Sequence, residues 1–316
     1  MTKYILSTRP FRNEFIRQAK EIAPYEFVTA TEIPTNFDWQ SVEITIGWSK
    51  DWQDKLLIPT SSLKWVQSIS AGVDTLPLEL FAKHNVYLSN TSGLHATSIT
   101  EHLLAILLMK TRGILDAIKN QEEQCWAEVP TIQNLQDLRI LIVGTGKIGQ
   151  ELAKLLTFFQ TKPIGINTNG RKIEHFAETY ALVDLAYQAQ KADVIINILP
   201  LTDDTYHLYD HDFFKTMKTT ATFINVGRGP SVDTTALYQA LRERQIGFAA
   251  LDVFEEEPLP SEHPLWKLDN LLITPHFSGF TPHFQKAFMQ IFLENLASFT
   301  TKGSLIKNVV NIRSGY

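Results

Sequence analysis

Short apolar runs alternate with longer amphipathic segments along most of this chain, and that alternation sets the architecture to expect. In the first hundred residues strands are predicted at Lys3–Ser7, 43–46, 65–68 and 87–90. A helix is predicted over 12–22, where Phe15, Ile16, Ala19 and Ile22 fall on one face. Further on, 138–143, 163–167, 193–199, 222–226, 247–253 and 271–274 are nearly continuous apolar runs. Strands buried on both faces of a parallel sheet have that pattern, because helices cover each face. A helix near 173–179 is expected ahead of 182–185.

Two long helical stretches link the halves. The apolar helix over 98–112, with Glu101 in its first turn, reads as the crossing into a second domain. A last helix opens at Thr281 and Pro282, a capping hydroxyl and a proline suited to the first helical position. Phe284, Phe288, Ile291, Phe292 and Phe299 form its apolar stripe, and Gly303 stops it. Its return gives domains of 1–97 plus 282–316 and 98–281, with the active site in the interdomain cleft. The expected class is α/β: two Rossmann-like domains built on doubly wound parallel sheets. A length of 316 residues agrees with two cores rather than one. The segment 113–136, with Trp126 and Pro130, has weak periodicity and reads either as a linker or as a dimer-making arm.

The most informative stretch is 138–149, a buried strand running into Gly144-Thr145-Gly146-Lys147-Ile148-Gly149, with a helix following at 150–156. In such a turn Gly144 permits the tight bend, Gly146 lets a pyrophosphate approach the backbone, and Gly149 lets helix pack on strand. The helix N–H groups and positive dipole end then face the phosphates. The flanking strand and helix, and the next strand at 163–167, separate this pattern from an ordinary glycine turn.

Composition narrows the class of function. The net charge of -5, from 34 acidic against 29 basic residues, includes no basic block, so no nucleic-acid partner is expected. The most apolar helical run, 103–109, is too short to span a bilayer, and the first seven residues lack the apolar length of a secretory leader. No membrane partner is expected either. Cys125 is the single cysteine, which excludes an intrachain disulfide or a cysteine metal cluster and agrees with a reducing cytoplasm.

Ligands of open α/β sheets sit outside the carboxyl ends of the strands. There the sequence places Pro200-Leu201-Thr202, Gly227-Arg228-Gly229, Asp252 and Pro275-His276. Arg228, between two glycines, suits bidentate recognition of a carboxylate, or else of a phosphate. His276 is a candidate acid and base, or a structural histidine. Glu255, Glu256 and Glu257 form an acidic turn in which two are expected to be simply solvated. The small-residue loop 70–74 reads as a plain turn or as a cradle of N–H groups for an anion. His207 and His211, beside Asp210 and Asp212, have helical metal spacing, but with no third ligand cluster a solvated helix start and no metal are expected. Trp48, Trp52, Phe280 and Phe284 are candidates for a pocket wall or for the core.

The order of these motifs resembles the D-isomer-specific 2-hydroxyacid dehydrogenase family. The resemblance rests on Asn225-Val226-Gly227-Arg228-Gly229, on Leu251-Asp252-Val253-Phe254 with Glu257-Pro258, and on Thr274-Pro275-His276. It extends to Asn90-Thr91-Ser92-Gly93, Leu199-Pro200-Leu201-Thr202 and His263-Pro264-Leu265-Trp266. It implies an NAD(P)-dependent oxidoreductase, a 2-keto acid reductase in which hydride passes between nicotinamide and C2 while His276 gives the proton. Arg228 then binds the substrate carboxylate and polarises the keto oxygen, and Glu257 pairs with His276. Gly72 and Val73 orient the carboxylate through backbone N–H groups. It also implies that Asp252 contacts the nicotinamide amide and that Thr97 lies near the cofactor. With the glycine turn and the strand ends, the expected cofactor contacts are Thr97, Gly144, Gly146, Lys147, Ile148, Gly149, Asn167, Arg171, Pro200, Thr205, Val226 and Asp252. The segment 113–136 matches the family's dimer arm in place, so a cytoplasmic homodimer acting on a small 2-keto or 2-hydroxy acid is expected. The resemblance also reaches non-catalytic, dinucleotide-sensing binding proteins of the same fold, against which the intact Arg228, Glu257 and His276 argue.

One position departs from the pattern. The acid expected about 20 residues past the glycine loop, which holds the adenosine ribose, is replaced by Asn167, with Thr168, Asn169, Gly170, Arg171 and Lys172 following. No carboxylate there repels a 2′-phosphate and two cations attract one, which favours NADP over NAD. Against this, Thr168 stands where NADP-using relatives often carry another arginine.

Overall fold

The apolar runs form two sheets in which every strand pairing is parallel. The computed structural model describes residues 2–128 and 132–312. The chain parts into two units, Met1–Leu94 with Thr281–Tyr316, and His95–Phe280. The first unit runs β1 (Lys3–Ser7), α1 (Asn13–Ile22), β2 (Tyr25–Thr29), β3 (Val42–Ile46), α2 (Gln53–Leu56), β4 (Trp65–Gln67), α3 (Leu78–Lys83) and β5 (Tyr87–Ser89). The second runs α4 (Ala96–Thr111), α5 (Ile114–Glu122), β6 (Ile140–Val143), α6 (Lys147–Phe158), β7 (Ile164–Asn167), β8 (Glu178–Ala181), α7 (Leu185–Ala189), β9 (Val194–Asn197), α8 (His211–Thr216), β10 (Thr222–Asn225), α9 (Thr234–Arg242), β11 (Phe248–Leu251) and β12 (Leu271–Ile273). Helix α10 (Phe284–Lys302) then belongs to the first unit again.

The second unit's strand order is β12-β11-β10-β9-β6-β7-β8. Side chains along each strand alternate between its faces, and both faces are buried. Leu141 and Val143 of β6 pack with Phe214 of α8 and Leu237 and Leu241 of α9. Ile140 and Ile142 pack on the opposite side with Leu103 and Leu107 of α4 and Leu152 and Leu156 of α6. Strands β9, β10 and β11 repeat the split, which is why their sequences read as unbroken apolar runs. The chain winds one way from β6 to β8 and the other way from β9 to β12, so the switch point where such folds bind ligands lies between β6 and β9.

The first unit's order is β2-β1-β3-β4-β5. Ile5, Ile44, Ile46 and Trp65 pack with Phe15 and Ala19 of α1 and Phe288, Phe292 and Leu296 of α10. The other face packs Leu6, Val66 and Leu88 with Trp52, Leu56 and Phe81. Pairing of β1 with β3 slips by one residue, from Tyr4 opposite Val42 to Ile5 opposite Ile44, which leaves Glu43 as the bulged residue. Glu43 is only 3% exposed. It is satisfied by Lys64 at 2.6 Å, Lys3 at 2.9 Å and the Tyr25 hydroxyl at 2.5 Å. Burial opposes its ionisation, but the bonds from Lys64, Tyr25 and Lys3 outweigh it and hold the carboxyl below its usual range. Stability from a lowered carboxyl pKa is present above the unfolded value and disappears as pH falls through the folded one. Glu43→Gln is therefore expected to lower unfolding stability by about 1–3 kcal/mol at neutral pH, and the gap from wild type should close in acid. Denaturant titrations at both pH values check this, and a gap independent of pH would contradict it.

The structure departs from the sequence prediction in several places. Strand β2 was not predicted: it is a sheet edge, so its residues need not form an apolar run. No helix forms near 173–179. Gly170 and His175 adopt positive φ (73° and 70°) and turn the chain into the edge strand β8, while 182–184 is a short 3-10 turn leading into α7. In 113–136, Gly113 at φ 68° breaks from α4 and starts α5, on which Ile114 and Ile118 are 44% and 45% exposed; Pro130 lies outside the described residues. The last helix starts at Phe284 rather than Thr281, whose hydroxyl accepts from His283 N in the turn ahead of it. Gly303 ends that helix in the left-handed region, as expected. Trp52 is core, Trp48 lies edge-on to it and to Phe81, Phe284 packs against the first-unit core, and Phe280 is exposed. No described helix is long and apolar enough to cross a membrane.

Candidate active site

The turn after β6 has room for a diphosphate. Gly144 sits at φ 110°, where a Cβ would lie 3.2 Å from the Ile198 carbonyl carbon. Gly146 caps α6 without a side-chain acceptor, and nothing lies within 4 Å of where its Cβ would stand. That open space meets the first-turn N–H groups of a 12-residue helix. A Cβ on Gly149 would come within 2.1 Å of the Gly144 carbonyl oxygen, so only glycine allows this approach. Lys147 is exposed in the first helical turn, and Ile148 packs partly against the core. These features fit the pyrophosphate of a dinucleotide.

Around this turn the other predicted cofactor residues are less uniform. Asn167, 7% exposed, accepts from Asn169 N at 3.3 Å and Arg171 N at 3.1 Å, and donates to Arg171 O at 2.9 Å. Its amide thus folds its own loop and grips the Arg171 backbone from both sides, while the Arg171 and Lys172 side chains are exposed. The Thr205 hydroxyl donates to Pro200 O at 2.8 Å and accepts from Thr202 N at 2.7 Å, so it staples the loop after β9. Thr97 is exposed in the first turn of α4, and Val226 is buried just past β10.

Arg228, Glu257 and His276 lie in the loops that follow β10, β11 and β12, and the structure brings Glu257 and His276 together there. Arg228 is extended (φ -141°, ψ 144°), and its Nη1 donates to Gly227 O at 2.9 Å. A Cβ on Gly227 would lie 2.6 Å from Leu199 O, and one on Gly229 1.8 Å from Phe254 O, so the arginine turn is wedged between two neighbouring loops. Glu257 Oε1 accepts from Phe254 N at 2.9 Å, and its Oε2 lies 2.7 Å from His276 Nδ1. That pairing commits Nδ1 and leaves Nε2 as the ring nitrogen able to take up or release a proton. His276 has a left-handed backbone, φ 51°, and donates its N–H to Asp252 O and Thr274 O. Asp252 is 1% exposed. Its carboxylate accepts from Thr274 Oγ1 at 2.6 Å and from Phe277 N and Ser278 N at 3.1 Å each, fastening the loop that carries His276. In the first unit, Val73 is buried and Gly72 half-buried, in a loop anchored by Ser68 Oγ on Ser70 O and Asn90 Nδ2 on Ala71 O.

Glu255 is not a freely solvated acid. It lies 2.6 Å from His207 Nε2 and accepts from Thr234 N at 2.8 Å. Burial opposes its ionisation, but bonds from Thr234 and His207 prevail and hold its carboxyl below the usual range. Asp210 caps α8 by accepting from Phe213 N, so this His/Asp spacing serves pairing and capping. Sequence reasoning missed two further features. His102 of α4 sits 3.4 Å from Thr274 Oγ1, and burial pushes its imidazole down despite the nearby Asp252. Asn197, Tyr209 and Ser231 lie fully buried beside Asn225; the available signal was a polar residue closing an apolar strand.

Residues 104–278 match the family model described as D-isomer specific 2-hydroxyacid dehydrogenase, NAD binding domain. The chain is 34% identical over 256 residues to a glyoxylate reductase of Thermofilum pendens, covering 79% of this chain and 75% of that one. The solved phosphoglycerate dehydrogenase from Lactobacillus plantarum is 41% identical with a TM-score of 0.59, over 98% of this chain and 100% of that one. An NADPH-dependent glyoxylate/hydroxypyruvate reductase from Sinorhizobium meliloti, solved in complex with NADP and sulfate, is 25% identical with a TM-score of 0.85 over 100% of both chains.

Proposed function

Because the chain belongs to the D-isomer-specific 2-hydroxyacid dehydrogenase family, and so is an NAD(P)-dependent oxidoreductase of 2-hydroxy acids, we propose that it reduces a small 2-keto acid at C2 with His276 as proton donor. The observation that carries this reading is the 2.7 Å pairing of His276 Nδ1 with Glu257. The bound nicotinamide cofactor supplies the hydride. Arg228 grips the substrate carboxylate and polarises the keto oxygen, and the family resemblance adds the Gly72 and Val73 N–H groups as further donors. His276 delivers its proton from Nε2 to the developing alkoxide. Glu257, itself held by Phe254 N, orients the ring and faces the charged imidazolium. In the same reading the enzyme is a cytoplasmic homodimer, and the exposed Ile114 and Ile118 of α5 support an interface there.

The test is a panel of glyoxylate, hydroxypyruvate, phosphohydroxypyruvate, pyruvate, and branched and aromatic keto acids, each with NADPH and NADH. Oxidation of a reduced cofactor by at least one acid is expected, and the small unbranched acids are expected to react best. Tight cofactor binding with no turnover on any acid would leave the dinucleotide-sensing alternative.

NADPH is the expected preferred cofactor, since Asn167 replaces the ribose-binding acid and presents Arg171. Losing one charge-assisted bond to a 2′-phosphate, Arg171→Ala should lower the NADPH-to-NADH ratio of kcat/KM by about tenfold or more. Its kcat/KM with NADH should hardly move. A wild-type preference for NADH, untouched by the substitution, would end this assignment.

A further inference from the structure

We propose that Asn197, acting through Asn225 and Ser231, is a positioning residue for Arg228. The inference rests on the reading of Arg228 as the residue that holds the substrate carboxylate. Asn197 closes β9 and Asn225 closes β10, and the two stand opposite each other in the strand register. Asn197, Asn225, Ser231 and Tyr209 are all 0% exposed. Amides and hydroxyls in such a setting are costly unless every bond is made.

In Asn197 all four are made. Its Oδ1 accepts from the Tyr209 hydroxyl and from Leu199 N, each at 3.1 Å. Its Nδ2 donates to Asn225 Oδ1 and to Ser231 Oγ, each at 2.9 Å. Those two recipients pass the polarity on to one atom. Asn225 Nδ2 donates to Arg228 O at 3.0 Å, and Ser231 Oγ donates to the same oxygen at 2.6 Å. Asn225 Oδ1 also accepts from Gly227 N at 3.0 Å.

The direction of each bond follows from the hub. An amide donating to Ser231 Oγ turns the serine proton toward Arg228, and donation to Asn225 Oδ1 turns that side chain's NH2 the same way. Two arms from one side chain thus converge on the carbonyl of the arginine. They fix the peptide that follows its Cα, while the bond from Gly227 N holds the peptide that leads into Gly227, and together these set the direction in which the guanidinium leaves the sheet. Apolar residues would serve the sheet alone at least as well, so the polarity of this cluster is explained by what it holds.

The experiment compares Ser231→Ala, which cuts one arm, and Tyr209→Phe, which loosens the hub one bond further away, in wild-type and Arg228→Ala backgrounds. Measured are KM and kcat for the keto acid, the Kd of oxalate on the NADPH-loaded protein, and the Kd of NADPH. In the wild-type background Ser231→Ala should raise keto-acid KM and oxalate Kd by about tenfold, and Tyr209→Phe by a smaller factor, as the loss of one hydrogen bond implies. NADPH affinity should be unchanged, and neither substitution should add to the loss already caused by Arg228→Ala. Unchanged KM and oxalate affinity, or equal losses in both backgrounds, would overturn the proposal while leaving the role of Arg228 intact. If Arg228→Ala itself leaves carboxylate binding in place, the reading of Arg228 fails and the proposal with it. Should Ser231→Ala not fold, Tyr209→Phe carries the same comparison, since it removes a single hydroxyl and leaves the packed ring in place.

Discussion

Replacing His276 with glutamine is expected to lower kcat for keto-acid reduction by about a thousandfold, within the range of general acid catalysis, while NADPH binding persists. Glutamine can still bond to Glu257 but has no proton to transfer. In the wild type, reduction consumes the His276 proton, so its rate should fall toward alkaline pH, whereas oxidation of the hydroxy acid needs the neutral ring and should rise. Both dependences should vanish in the variant. Glu257→Gln keeps the shape and a hydrogen bond to His276 but removes the charge facing the imidazolium, and should cost kcat about a hundredfold. Glu255→Gln is the control: its partners are His207 and Thr234, so the rate should stay near that of wild type. Steady-state rates across pH decide the matter. Wild-type pH profiles in His276→Gln, or a larger loss from Glu255 than from Glu257, would mean that the proton donor or its partner is misassigned.

Arg228→Lys should be nearly as damaging. Lysine keeps the positive charge but not the planar fork that holds two carboxylate oxygens at once. Loss of one charge-assisted bond, with poorer polarisation of the keto oxygen, should lower kcat/KM by about a hundredfold, through a raised KM and a reduced kcat together. The close packing around Gly227 and Gly229 leaves the backbone no freedom to bring a shorter-reaching ammonium nearer. NADPH affinity measured by direct titration should change little. Equal losses of cofactor and keto-acid binding would point instead to a phosphate-binding arginine.

Much of this site is legible before folding because its signals are local. Gly144, Gly146 and Gly149 can be read from spacing, since each requirement concerns a turn and the helix beside it. Glu257 was separated from Glu255 and Glu256 only through the family resemblance. Their spacing alone leaves three equivalent acids, and in the folded chain two of them pair with different histidines. The bonds by which the Thr205 hydroxyl ties Pro200 to Thr202 could not be foreseen. That bonding depends on how the loop after β9 closes, which residue type does not reveal.

The sequence by itself determined the α/β class, the parallel central sheet of the second unit and the glycine turn at its switch point. Burial on both faces demands unbroken apolar strands, and close helix–strand approach demands glycine. Only the tertiary structure decided the bulge that buries Glu43, the edge strand β8 in place of a helix, and the way Asn197 is joined to Arg228. These depend on register and on which loops meet at a sheet edge, and so on residues distant in the chain whose pairing leaves no periodic trace in it.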